Sequence, residues 1–199
     1  MTNRSISFFD SQFCTQAQQQ NYALNPFETL ALPYLFGRVL DLGCGLGNLS
    51  VEVARKGCAV HALDAAAAGV EDLRRRAQSL GLPITAELTD LAHYRIEESY
   101  DCVVCIGLLM FFPSRLAKER LGDIGNAVKP GGIAVINALI EGTTYLDMFE
   151  PNHYYLFRES ELEQHFSDWE IVESRIDSFP APGATVKRFS TVIARRPVA

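Results

Sequence analysis

Three acidic residues, Asp41, Asp64 and Asp90, stand at or near the ends of short apolar runs, where a carboxylate needs a reason to be. Asp41 interrupts the run Val39, Leu40, Leu42, and the turn Gly43-Cys-Gly-Leu-Gly47 follows at once. A carboxylate in a buried strand is costly unless something hydrogen-bonds it or it meets a ligand at the open strand end. The missing Cβ atoms of the turn let backbone approach that ligand closely. The spacing Gly43-x-Gly45-x-Gly47 is not the Gly-x-Gly-x-x-Gly of a dinucleotide turn, and Asp41 would repel a pyrophosphate while attracting an ammonium or sulfonium group. Asp64 closes the next run about 20 residues on, where an acidic side chain can accept both hydroxyls of a ribose. A helix N-cap is the other reading of Asp64, and Asp90 reads by itself as a solvent-exposed loop residue. His153, in a loop over residues 141–158, is the residue best suited to act as a general base, because its ordinary pKa lies near neutrality.

The elements that must position these groups alternate. Short apolar segments at 38–43, 58–63, 84–88, 101–106 and 132–138 read as strands. Between them, helical faces are predicted from Leu49, Val53 and Ala54, from Val70, Leu73, Ala77 and Leu80, and from Leu116, Ile124 and Val128, with Gly57 and Gly81 at C-caps. Such alternation predicts a doubly wound α/β sheet with a parallel core and helices on both faces. Ser160-Glu-Leu-Glu163 has the pattern of a capping box. Segments 169–176 and 188–194 have no helix between them and are predicted to pair as an antiparallel hairpin. Lys129-Pro-Gly-Gly132 reads as a turn into the fifth strand, His61 as a structural residue of the second, and Arg74-Arg-Arg76 as the solvated face of a helix.

A chain of 199 residues, 48% hydrophobic and 21% charged, is expected to form a single domain (1–199), with a helical cap over 1–35 and a core over 36–199. A formal charge of -6 speaks against nucleic acid as a partner. No apolar run suits a membrane span, and Met1-Thr-Asn-Arg-Ser5 leads into Phe8 and Phe9 rather than a signal core, so a soluble, cytoplasmic protein is expected. Cys102 and Cys105 lie three apart in a strand and face opposite ways, which predicts core thiols rather than a metal site or disulfide.

The glycine turn with its preceding Asp41 resembles motif I of the class I S-adenosylmethionine-dependent methyltransferases. That resemblance implies a Rossmann-like sheet of seven strands, the seventh inserted between the fifth and sixth. It also implies cofactor contacts from Asp41, Gly43, Cys44, Gly45, Gly47, Asp64, Ala65, Asp90, Leu91, Ile106 and Gly107. Within that group, Leu109-Met-Phe-Phe112, Leu156-Phe-Arg-Glu-Ser-Glu-Leu162, Trp169-Glu-Ile-Val172 and Lys187-Arg-Phe-Ser-Thr-Val-Ile-Ala-Arg195 resemble the TehB-type tellurite-resistance family. The likeness implies that Arg188 handles an oxyanion substrate. A His-Arg pair expected in the preceding loop is replaced by Phe179-Pro-Ala-Pro-Gly183, which speaks against tellurite itself. The implied activity is transfer of a methyl group from S-adenosylmethionine to a small molecule, a chalcogen oxyanion or a thiol among the candidates, leaving S-adenosylhomocysteine. A nicotinamide-dependent oxidoreductase and a non-catalytic cofactor-binding protein are the competing readings. Phe8, Phe9, Phe13 and Tyr22 are expected to form a lid, and Tyr145, Phe149, His153, Tyr154 and Tyr155 a pocket wall; the alternative for each ring is plain packing.

Overall fold

The computed structural model describes residues 4–198. Residues 1–3 of the expected cap and Ala199 lie outside the described residues. Seven strands, β1 (Arg38–Leu42), β2 (Ala59–Asp64), β3 (Ile84–Leu88), β4 (Tyr100–Ile106), β5 (Val128–Leu139), β6 (Glu170–Ala181) and β7 (Thr185–Arg195), form one sheet in the order β3-β2-β1-β4-β5-β7-β6. Strands β1 to β5 pair in parallel, and β7 runs antiparallel between β5 and β6. The fold class and the inserted seventh strand are therefore as expected.

Alternation along the central strands builds two cores. Leu40, Leu42, Val103, Cys105, Ile136 and Val192 meet α5 (Ser114–Ala127) and α6 (Glu161–His165) on one face. Val39, Val60, Ala62, Cys102, Val104 and Val135 meet α3 (Asn48–Arg55) and α4 (Ala67–Leu80) on the other. Cys102 and Cys105 fall in opposite cores, as period-two geometry requires. Ahead of β1 stand α1 (Arg4–Gln18) and α2 (Pro26–Ala31). Among the described residues no helix is long and apolar enough to cross a membrane.

Several expectations are corrected. Ser160 makes no cap bond, because its backbone (φ -99°, ψ 4°) is not extended as an N-cap's must be, and its hydroxyl accepts from Gln164 instead. A capping box forms instead at Asn25-Pro-Phe-Glu28, where Asn25 Oδ1 accepts from the Glu28 N–H at 2.9 Å and the Glu28 carboxylate accepts from the Asn25 N–H at 2.7 Å. Lys129-Pro-Gly-Gly132 lies within β5, at a register shift against Tyr100 and Cys102, where a Cβ on Gly132 would fall 2.4 Å from the Asp101 carbonyl. Leu80 is 47% exposed, off the buried face of α4. Arg76 leaves the solvated face that Arg74 and Arg75 share: it is drawn to the buried Asp72, to the Leu46 carbonyl and over the Tyr22 ring.

Candidate functional site

A cavity of about 750 Å³ opens over the C-terminal ends of the parallel strands, where such sheets place their ligands. The turn after β1 forms its base. Gly43 and Cys44 donate to the Leu63 carbonyl at 2.8 and 3.1 Å, tying the turn to β2. Asp64, at the end of β2, accepts from Gly45 N–H at 2.8 Å and from Ala66 N–H at 2.8 Å, so one carboxylate pins two loops. Helix α4 begins later, with Ala66 as its N-cap and no side-chain cap bond, so Asp64 is not the cap. Close approach explains the small residues here. Gly45 has φ +55° and lies under the Phe13 ring, and a Cβ on Gly69 of α4 would meet the Gly45 carbonyl at 2.4 Å.

Burial pushes the Asp41 carboxyl up to about 7; the Ser50 hydroxyl donates to it at 2.6 Å and opposes the rise, while Glu28 and Asp64 add to it. Burial likewise raises Glu28 and Asp64. Three carboxyls that resist ionisation around one cavity form a site that gains by taking up a positive charge. Two further cavity-lining residues, Asn48 and Asn137, each carry a buried amide oxygen without a hydrogen-bond donor among the described residues. Such acceptors are expensive to leave unmade, and an ammonium-bearing ligand would supply donors.

Of the expected cofactor residues, Asp41, Gly43, Cys44, Gly45, Asp64, Ala65, Asp90, Leu91, Ile106 and Gly107 all line this cavity. Gly47 does not: it precedes α3, in a place where a Cβ would strike Leu73 at 2.4 Å. Asp90 is exposed and holds His93 Nδ1 at 2.8 Å, which keeps its carboxyl below the usual range, and it accepts from Ala92 N–H.

Helix α1 forms the roof. Phe8, Phe9 and Phe13 line the cavity, and Asp10 accepts from Ala68 N–H at 2.8 Å in the first turn of α4, a favourable place for an anion. Phe9 packs edge-on against Phe111, which continues to Phe149 and Tyr154. Tyr22 is not part of this lid but sits under Arg76. In the loop over 141–158, Tyr145 and His153 reach the cavity, whereas Phe149, Tyr154 and Tyr155 pack behind it. His153 is exposed at the rim, its Nδ1 3.1 Å from the Pro151 carbonyl. A carbonyl only accepts, so Nδ1 carries the hydrogen and Nε2 of the neutral ring is left as an acceptor.

Arg188 is not brought to the cavity. Its guanidinium donates to the Glu141 carbonyl at 2.9 Å and to Glu159 at 3.0 Å, on the far side of β7. Strand alternation gives the reason: Lys187 and Phe189, one residue either side, line the cavity in its place. Glu28, Asn137, Phe27, Lys187 and Phe189 were not foreseen. Asn137 carried the signal that marked Asp41, a polar residue inside an apolar strand, and Glu28 carried that of a capping box.

An inserted antiparallel strand on a parallel core, with an acidic residue under the glycine turn, is the fold of the class I S-adenosylmethionine-dependent methyltransferases. Within it, the chain belongs to the TehB family: the model described as tellurite resistance protein TehB matches residues 27–178. Hemagglutinin 1 of Eikenella corrodens is 28% identical over 172 residues, covering 80% of this chain and 55% of that protein. A probable S-adenosyl-L-methionine-dependent methyltransferase TehB of Haemophilus influenzae is 28% identical over 167 residues, covering 80% of this chain and 57% of that protein. The crystal structure of TehB from Haemophilus influenzae superposes with a TM-score of 0.77 at 23% identity, covering 91% of this chain and 65% of that one. The chain thus spans a little over half the length of the curated relatives it matches.

Proposed function

We propose that the protein transfers a methyl group from S-adenosylmethionine to a small-molecule acceptor. The observation that carries this reading is the acidic base of the cavity. Asp41, Glu28 and the unmet oxygens of Asn48 and Asn137 suit the ammonium and sulfonium of this cofactor, while Asp64 has lone pairs left for ribose hydroxyls, and Asp90 and Leu91, to which the family resemblance gives the adenine, line the same cavity. A pyrophosphate would meet the same carboxylates with repulsion, which disfavours a nicotinamide dinucleotide.

S-adenosylmethionine supplies an electrophilic methyl carbon on a positively charged sulfur, with a good leaving group built in. The protein's work is then orientation and the exclusion of water. Asp41 and Glu28 fix the amino end. Phe8, Phe9, Phe13 and Phe111 close the roof. His153 Nε2, held free by the Nδ1 bond to Pro151, takes a proton from an acceptor that carries one. No nucleophile on the protein is needed. The five free thiols suit a reducing, cytoplasmic setting. Selenite, tellurite and small thiols belong in a first acceptor panel on family grounds, beside phenols.

Release of S-adenosylhomocysteine, followed by mass spectrometry with this panel, tests the reading. Acceptor-dependent release that falls at least about tenfold in Asp41→Asn is expected, the scale of losing a charged hydrogen bond. Cofactor binding with no product from any acceptor would favour a non-catalytic binding protein instead.

A further inference from the structure

The chain has four lysines. Three rest on oxygen: Lys56 on the Leu32 carbonyl at 2.7 Å, Lys118 on Glu161 at 3.1 Å and Lys129 on Asp101 at 2.8 Å. Lys187 does not. Its ammonium lies 4.6 Å from the centroid of the Tyr145 ring and makes no hydrogen bond or ion pair with an oxygen among the described residues. Half-buried there, it loses hydration without gaining a carboxylate, and burial alone lowers its pKa. Cation–π contact offsets part of that cost.

Its surroundings are aromatic. Phe189, two residues along the same face of β7, packs on Phe27 at 4.7 Å, and Phe179 lies 5.7 and 6.0 Å from Phe27 and Phe189. Strands β4 and β5 separate β7 from β1. Three strand spacings put Lys187 about 14 Å across the sheet from the Asp41 side. One cavity is therefore acidic at its β1 end and carries a lone cation in an aromatic wall at its β7 end. A three-oxygen inorganic anion would use little of such a wall. A flat organic acid would use both the rings and the charge.

We propose that Lys187 selects the acceptor by its charge, receiving the anionic oxygen group of an aromatic small molecule whose ring lies against Phe27, Tyr145 and Phe189. The proposal rests on the methyltransferase reading, since it assigns the β1 end to the cofactor. It makes Lys187, not its neighbour Arg188, the cation of the acceptor end.

The test is calorimetric titration of the full chain, first with S-adenosylhomocysteine and then, once saturated, with 3,4-dihydroxybenzoate and its neutral counterpart 3,4-dihydroxybenzamide. The wild type is expected to bind the acid at least about tenfold tighter than the amide, the scale of one charge-assisted contact. Lys187→Gln is expected to bring the two within about twofold, and Lys187→Arg to keep a preference for the acid, with S-adenosylhomocysteine affinity alike in all three. A melting curve for each variant shows that it is folded. Equal binding of acid and amide by the wild type, no binding of the acid at millimolar concentration, or a preference that survives in Lys187→Gln would overturn the proposal. Failure of S-adenosylhomocysteine to bind in the first titration would instead remove the cofactor reading, and this proposal with it.

Discussion

Asp41 links ligand affinity to pH in a way that can be worked out. Its carboxyl stands at about 7, chiefly through burial. A ligand ammonium gains from the ionised form only. The ionised fraction is about nine-tenths at pH 8 and about one-tenth at pH 6, so affinity for a cationic ligand is expected to fall about tenfold, or about 1.4 kcal/mol, over that interval. S-adenosylhomocysteine suits the assay because its ammonium stays charged throughout, and isothermal calorimetry in matched buffers gives the dissociation constants. The same shift acts on stability with a definite sign. A carboxyl raised in the folded state from 3.8 to about 7 stabilises the protein below pH 4, and that contribution is lost as pH rises through 7. The full loss corresponds to roughly 4 kcal/mol. Asp41→Asn cannot ionise, so without ligand it is expected to be more stable than the wild type at pH 8, by about 1 to 3 kcal/mol after its changed bond to Ser50, while binding ligand more weakly and with a shallower pH slope, the remainder belonging to Glu28. An affinity that is flat between pH 6 and 8, a slope as steep in Asp41→Asn as in the wild type, or a variant less stable at pH 8 would refute this reasoning.

Three further outcomes are expected. Asp64→Ala removes an acceptor from the Gly45 and Ala66 amides as well as from the ligand, and should weaken S-adenosylhomocysteine binding by about 1.5 to 3 kcal/mol in the same calorimeter; an unchanged affinity would end the ribose assignment. Gly69→Ala puts a Cβ 2.4 Å from the Gly45 carbonyl, so the glycine turn must move, at about 1 to 3 kcal/mol and a melting temperature lower by about 2 to 10 °C; an unshifted melting curve would show that the helix yields freely. Arg76→Ala leaves the buried Asp72 to Arg75 and strips Tyr22 and the Leu46 carbonyl of their cation, costing about 1.5 to 3 kcal/mol by chemical denaturation, whereas a loss under about 0.5 kcal/mol would mean that Arg76 behaves as a solvated surface residue after all.

What the sequence made legible follows the reach of local patterns. The apolar runs around Asp41, Asp64 and Ile106 are short-range signals of buried strands, and the absence of a helix between 176 and 188 was enough to foresee an antiparallel ending. Features that depend on which face a residue takes were harder. Arg188 and Lys187 are neighbours with opposite surroundings, and only the register of β7 against β5, Leu139 opposite Phe189, decides which of them meets the cavity. Ser160 and Asn25 both head capping-box strings, yet only the chain entering at Asn25 is extended enough to close one. Arg76 sits in a run of arginines that reads as solvated, and its burial is imposed by Tyr22 and Asp72, the first of them more than fifty residues away in sequence. Asn137 was legible by the rule that marked Asp41, since it too is a polar side chain within an apolar strand.

The most direct measurement is calorimetric titration of the protein with S-adenosylmethionine, with NAD in parallel. A saturable isotherm near one molecule per chain for S-adenosylmethionine, absent with NAD and weakened at least about tenfold in Asp41→Asn, is the expected result. Heat with NAD alone, or none with S-adenosylmethionine at millimolar concentration, would contradict the assignment of this cavity.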